Sequence, residues 1–314
     1  MAQLEPRAHA ANSIGAMDPD SPRIVPRLVK FVISLAFHVA SESWRMLLRA
    51  LGKAPQPGAI VIYYHHVLSS ERERFARQLD HLLRWTKPLS TDASAPLSPD
   101  ARYSMLTADD GWKSFADNAV GEIERHNIPV TIFAISDRLG QSVDEITFDR
   151  LVTADELRAL NSQLVTIGSH TASHVKMTTL DEHEAMCELR ESRSRLGAIL
   201  GREVTTFCFP YGAYRDDLIP LCREAGYERV FTCVPTLADP SRFVLGRVRV
   251  DPSDWPLEFH LKLMGAYRWL PMAIEWKRRL LTPIRGTSRR ETQTPHIPVP
   301  QESSPSTELT ESPR

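Results

Sequence analysis

The sequence predicts an α/β protein built on a mostly parallel sheet, and three observations carry that prediction. Between residue 58 and about residue 250, short β-rich runs alternate with helical stretches, the order that builds β-α-β crossovers. Seven of these runs qualify as strands, enough to close a barrel. No segment recurs at a fixed period, which sets solenoids and propellers aside.

Taken in order, residues 1–23 lack apolar periodicity and read as disordered. Over 24–57 the apolar residues Leu28, Val32, Leu35, Ala36, Val39, Trp44, Leu47, Leu48 and Leu51 recur mostly at three- and four-residue steps, an amphipathic helical pattern. Its most apolar part, 28–40, is interrupted by Lys30 and His38, and at about 1.5 Å per residue it falls short of a roughly 30 Å hydrocarbon core. A largely polar leader precedes it, so the segment is a poor signal peptide, and a cytoplasmic or peripheral membrane location is favoured over secretion.

Strands follow at 59–64, 103–108, 128–135, 164–168, 205–210, 229–234 and 244–250, where β-branched and aromatic residues concentrate. Helices fill 71–86, 113–126, 153–161, 178–200 and 214–225, with Asp155 and Asp181 near acidic first turns and Gly201 and Gly226 as stops. The barrel is expected over 58–258 and a basic amphipathic helix over 259–285. The stretch 266–290 carries seven Lys or Arg against Glu275 alone. Such a stretch can rest on an anionic membrane or pack on the barrel as a terminal helix. Residues 286–314 are rich in Pro, Ser and Thr without an aromatic residue and read as a disordered tail.

Composition narrows the function classes. The chain has 314 residues, 42% hydrophobic and 25% charged, which are globular values and exclude a polytopic membrane protein. Lys and Arg (38) balance Asp and Glu (39), so nucleic acid is not the expected partner. Cys187, Cys208, Cys222 and Cys233 lie too far apart for a C-x-x-C site and read as buried reduced thiols.

Three motifs fall at strand ends, where a parallel α/β fold carries its reactive groups. Asp109-Asp110-Gly111 follows 103–108; alone it reads as a turn. His170 and His174 follow 164–168; read as a helical turn, they share one face and can reach one metal ion, although an isolated H-x-x-x-H pair is more often surface or core histidine. Asp110 would complete a set of two histidines and one carboxylate that leaves positions open for water and substrate. Phe207-Cys208-Phe209-Pro210-Tyr211-Gly212 alone reads as a strand-to-loop corner.

In motif, order and strand placement the three together resemble the polysaccharide deacetylase (NodB-homology) family over about 58–258. Tyr63-Tyr64-His65-His66-Val67 is similar to a segment of the branch that acts on poly-N-acetylglucosamine-type exopolysaccharides. The resemblance implies a distorted (β/α)7–8 barrel and metal-dependent removal of acetyl groups, N-acetyl of hexosamine units above all, from a polysaccharide or oligosaccharide. It implies Asp109 as general base, Asp110, His170 and His174 as ligands of one divalent ion, expected to be zinc, and Pro210-Tyr211 as the turn whose backbone N–H faces the oxyanion. The proton donor to the leaving amine is open among His65, His66 and His260, with His65 preferred. Many family members have Arg where Cys208 stands; Arg247 or Arg249 could supply the missing guanidinium, and Asp251, Asp254 and Trp255 resemble a late Asp and Trp motif. A hydrolase of small non-sugar amides on the same fold, or a non-catalytic glycan-binding protein, are the alternatives.

Overall fold

The computed structural model describes residues 24–142, 149–160, 162–273 and 276. Its strands are β1 (Ala59–Tyr64), β2 (Lys87–Pro88), β3 (Tyr103–Ala108), β4 (Val130–Ala134), β5 (Val165–Ser169), β6 (Thr206–Cys208), β7 (Arg229–Thr232) and β8 (Val244–Arg249). The helices are α1 (Ile24–Ala50), α2 (Arg72–Trp85), α3 (Lys113–Asn118), α4 (Val120–Arg125), α5 (Ala154–Leu160), α6 (Glu182–Leu200), α7 (Leu218–Glu224) and α8 (Pro256–Leu263). All strand pairings are parallel. β1 bonds to both β3 (Ile62 opposite Leu106) and β8 (Ile62 opposite Val248), which closes β1, β3, β4, β5, β6, β7 and β8 into a seven-stranded barrel; β2 is an outer addition to β3. The predicted (β/α) barrel is therefore the observed fold.

The two-residue alternation of a strand divides the core in two. Ala59, Val61, Met105, Phe133, Cys208, Phe231 and Leu245 form the inner cluster. Ile60, Ile62, Leu106, Ile132, Ile167, Phe207, Val230 and Val248 point to the outer cluster with the helices. With both faces covered, β1 is buried at every position, as its unbroken apolar run requires. Fully burying a side chain of this size is worth about 1.5–3 kcal/mol. Gly168 permits close strand packing, because a Cβ there would lie 2.6 Å from the Phe133 ring and from Thr206 Oγ1.

Several boundaries move. The helix expected over 113–126 is two helices meeting at Ala119. The helix expected from 178 starts at Glu182, because Asp181 and Glu184 form a reciprocal capping box there, after a 3-10 turn over Met177–Thr179. The helix expected over 214–225 is confined to 218–224. The division at 258 cuts α8, which begins with Pro256 at its first turn and gives way to Gly265 at φ 73°. Residues 259–273 are thus not one basic amphipathic helix. They pack on α1: Trp269 Nε1 donates to Ser34 Oγ at 2.9 Å, and beside them Arg27 donates to Glu258 at 2.5 Å. The remainder of that stretch, and both tails expected to be disordered, lie outside the described residues apart from Trp276. All four thiols are free; Cys208 and Cys222 are buried as expected, whereas Cys187 is exposed and Cys233 half-buried.

Candidate active site

The three motifs meet at the C-terminal mouth of the barrel. After β3 the chain turns through Asp110 (φ 70°) and Gly111 (φ 82°), with the Gly111 N–H donating to the Asp109 carbonyl at 2.9 Å. Trp112 Nε1 donates to Asp110 Oδ2 at 3.0 Å. After β5, His170 and His174 are carried not by a helical turn but by an irregular loop in which Thr171 (φ 66°) and His174 (φ 64°) are left-handed. That reversal brings the rings to 5.1 Å between centroids. Glu188 on α6 holds the loop, accepting from the Ala172 N–H (2.9 Å), the Ser173 N–H (3.0 Å) and the Ser173 hydroxyl (2.6 Å). After β6, Pro210–Gly212 form a tight turn in which Tyr211 is left-handed at φ 59°. Among the described residues, four of the five non-glycine residues with positive φ (Asp110, Thr171, His174, Tyr211) lie in these loops, Asn127 being the fifth; strain of this kind collects at functional sites.

Asp110 Oδ1 faces His170 Nε2 at 3.4 Å and His174 Nε2 at 3.2 Å. It is buried without a hydrogen-bond partner among the described residues, so the three atoms converge without bonding one another. Their opposite ends are all engaged. Oδ2 takes the Trp112 indole, His170 Nδ1 donates to the Cys208 carbonyl at 2.8 Å, and His174 Nδ1 meets the Tyr211 hydroxyl at 3.2 Å. The bond to Cys208 fixes the tautomer that leaves a lone pair on His170 Nε2. Burial lowers the His170 pKa to about 4, which keeps the ring neutral. Burial would raise that of Asp110, but the His174 and His170 rings outweigh it and hold the carboxyl below its ordinary range. Two imidazoles and a carboxylate, each steadied from behind, are a donor set for a divalent cation.

Asp109, His170 and Cys208 also place donor atoms within 4.8 Å of one another, but that trio does not fit a cation. Asp109 is bound bidentately by Arg247 (Nη1 to Oδ1 2.7 Å, Nη2 to Oδ2 2.8 Å). Burial pushes the Cys208 thiol well up, which keeps it protonated. Arg247 is fully buried in the barrel lumen, 4.4 Å above the Tyr63 ring and bonded to Thr107 Oγ1 at 3.0 Å and Cys208 Sγ at 2.7 Å. Burial alone would raise the Asp109 pKa; Arg247 overrides it and keeps the carboxyl below its usual range.

His65 lies at the end of β1. Burial lowers its pKa, and Asp110 and Asp109 raise it part of the way back; its Nδ1 is buried without a hydrogen-bond partner among the described residues. His66 turns toward Asp149 (3.5 Å) and lies against the Trp112 ring (4.3 Å between centroids). Arg249 is half-buried and acts electrostatically on His65. Two of the expected residues are not brought to the site. His260 packs in α8 against His81 (Nδ1 to Nε2 2.9 Å), His38 and Trp85. Trp255 packs edge-on against Phe31 and under Arg27, on α1. Glu188 and Trp112 join the site with nothing in their spacing to mark them, except that Trp112 follows Asp110 by two residues.

The polysaccharide deacetylase family model matches residues 97–230, which run from β3 to the start of β7 and include all three motifs. This segment belongs to the polysaccharide deacetylase family. A Bacillus subtilis (strain 168) relative, the polysaccharide deacetylase homologue YxkH, is 22% identical over 214 residues, 64% of this chain and 74% of its own. Among solved structures, IcaB from Ammonifex degensii superposes with a TM-score of 0.58 at 24% identity, covering 66% of this chain and 98% of IcaB. A de-N-acetylase from Aggregatibacter actinomycetemcomitans does so with a TM-score of 0.53 at 16% identity, covering 65% and 99%. At these identities the solved structures share the barrel with this polysaccharide deacetylase segment.

Proposed function

We propose that the protein removes N-acetyl groups from the hexosamine units of a polysaccharide, using one divalent cation, zinc by the chemistry of its donors, held by Asp110, His170 and His174. The observation that carries this is the buried Asp110 Oδ1, without a hydrogen-bond partner among the described residues, facing two imidazole nitrogens beside the Arg247-bound carboxylate of Asp109. When bound, such a cation supplies a Lewis acid and a water of lowered pKa.

The remaining work falls to the chain. Asp109 stays ionised through Arg247 and is aimed by two hydrogen bonds, as acceptance of a proton from water requires. The Tyr211 backbone N–H serves the developing oxyanion, and one such donor is worth about 3 kcal/mol of barrier. The exposed Tyr211 ring, 4.7 Å from that of His174, gives a sugar a surface at the mouth. His65 protonates the departing amine: burial makes its imidazolium a strong acid, and the two carboxylates keep that form accessible. An amide needs such an acid more than an ester does, because an amine anion is the poorer leaving group. The de-N-acetylase among the structures that share the barrel supports the amide reading.

Acetate release from N-acetylglucosamine oligomers, with metal content measured on the same sample, tests the proposal. Stoichiometric metal and acetate release are expected. Metal-loaded protein that leaves these oligomers intact but hydrolyses O-acetyl sugars or small cyclic amides would move the substrate class, and glycan binding without any hydrolysis would remove the enzyme.

A further inference from the structure

α1 is mounted with its polar side inward. The side chains it turns toward the barrel include Arg27, Ser34, His38, Ser41, Glu42 and Arg45, engaged with Glu258, Trp269, His260 and Arg102. From Leu28 to Leu51 the exposed residues Leu28, Val32, Val39, Trp44, Met46 and Leu47, with the alanines between them, occupy one continuous arc, about half of the circumference at roughly 100° per residue. Ser43 is the only polar residue on that arc, and the exposed charges of this helix, Lys30 and Arg49, stand outside it. Val32 is 61% exposed and Trp44 60%. No described helix is long and apolar enough to cross a membrane. An apolar arc of this length therefore calls for a cover that lies along it.

Charge identifies the cover. At the edge of the arc, Trp44 and Leu48 also line a cavity of about 230 Å³ between α1, the N-terminal ends of β1 and β3, and the residues after α8. Its charged lining is Arg45, Arg102 and Arg268 against Glu42 alone, an excess of two cations. Glu42 is bonded to Arg102 at 2.5 Å, and Arg268 Nε donates to the Gly265 carbonyl at 2.9 Å. Arg45 Nε is buried with no hydrogen-bond partner among the described residues. A second copy of the chain laid on this face would bring the same excess of cations with it. A bilayer of anionic phospholipid brings the opposite sign and an apolar layer together.

The geometry points to a binding site for the phosphate of an anionic phospholipid in the Arg45, Arg102 and Arg268 cavity, with α1 lying in the membrane surface on its apolar arc. The site is at the N-terminal end of the strands, the end of the barrel opposite Asp109 and Asp110, so membrane attachment leaves the catalytic mouth open to polysaccharide. The inference stands apart from the proposed reaction, since no residue of that mouth takes part.

Flotation of the full chain with phosphatidylcholine vesicles, with and without phosphatidylglycerol, tests it. Binding is expected to require phosphatidylglycerol, and Arg45→Gln and Arg268→Gln are each expected to weaken it roughly fivefold, the change that about 1 kcal/mol per surface cation corresponds to. Val32→Ser with Val39→Ser, both at exposed positions, reads the apolar arc without touching the fold and is expected to abolish flotation. Acetate release from a soluble oligomer should be unchanged in Arg45→Gln. Equal flotation of wild type and the arginine variants would overturn the assignment. So would inorganic phosphate bound in the cavity without vesicle association, which makes it a soluble-anion site, or a dimer that buries Trp44 and leaves vesicles unbound.

Discussion

At the scale of single residues, each ligand-bearing side chain depends on the group behind it. Trp112 fixes Asp110 through Oδ2 and leaves Oδ1 toward the two imidazoles. Trp112→Phe keeps a ring beside His66 and removes only the donor; metal affinity measured by competition with a chelator is expected to fall about 10–100-fold, the usual cost of losing such a partner. Asp109→Asn, by contrast, should leave metal content intact while acetate release drops about 10²–10⁴-fold, the range for a lost general base. Unchanged turnover in that variant would remove Asp109 from the reaction. Spacing alone left the guanidinium open between Arg247 and Arg249. Strand alternation puts both on the lumen side, and depth decides between them: Arg247 stands opposite Val61, a layer below Arg249 opposite Tyr63, and its guanidinium reaches Thr107, Cys208 and Asp109, whereas Arg249 acts on His65. Depth along a strand has no signature in one sequence.

At the scale of elements, the strands and the motifs at their ends were legible because a parallel sheet covered on both faces writes itself as short apolar runs. The conformation of the loop after β5 was not. Two histidines four apart fit a helical turn, but the chain meets the same need with left-handed residues at Thr171 and His174, stabilised by Glu188 from a helix a dozen residues on. That support is a tertiary contact, invisible to local periodicity. The pattern of α1 misleads in the opposite sense, since its apolar stripe, the side a helix ordinarily buries, is turned outward and its polar side packs. Start signals read in part: Asp181 falls near the first turn of a helix expected from 178, whereas it caps a helix that starts at Glu182, and its box with Glu184 predicts that Asp181→Ala lowers stability in urea by about 1 kcal/mol. Gly168→Ala tests the strand packing that carries His170 to its place: a methyl 2.6 Å from Phe133 and Thr206 overfills the barrel wall, with an expected cost of about 1–3 kcal/mol on the same titration.

At the scale of the whole molecule, two sets of buried ionisable groups, four histidines and the Asp109–Asp110 pair, act against acid in two stages. His170, at the mouth, and the cluster of His38, His81 and His260 between α1, α2 and α8 all have their pKa lowered, chiefly by burial, with His170 and His260 reaching about 4. The folded chain therefore holds these rings neutral at a pH where the unfolded chain has begun to protonate them. Their contribution is complete above the unfolded value of about 6.5 and drains as pH falls from there toward about 4. His170, being fully buried, accounts for something on the order of 3 kcal/mol of this in metal-free protein, and the partly exposed cluster adds a smaller, solvent-screened share. Asp109 and Asp110 act later and in the same direction: their folded values lie below 3.8, so their stabilisation is present above that value and is lost only as pH falls through the lowered ones. Metal-free protein should thus lose denaturant midpoint between neutral pH and about 4, ahead of the loss that Asp109 and Asp110 contribute. A His260→Gln variant, which carries no titrating ring at that position, should show a shallower fall over that interval and an unchanged one below it. A midpoint that stays flat to pH 4 in the unsubstituted chain would mean that the rings are hydrated as well in the fold as outside it. The packing of α1 and α8 around His260, and the burial of His170 under the loop after β5, would then both be wrong.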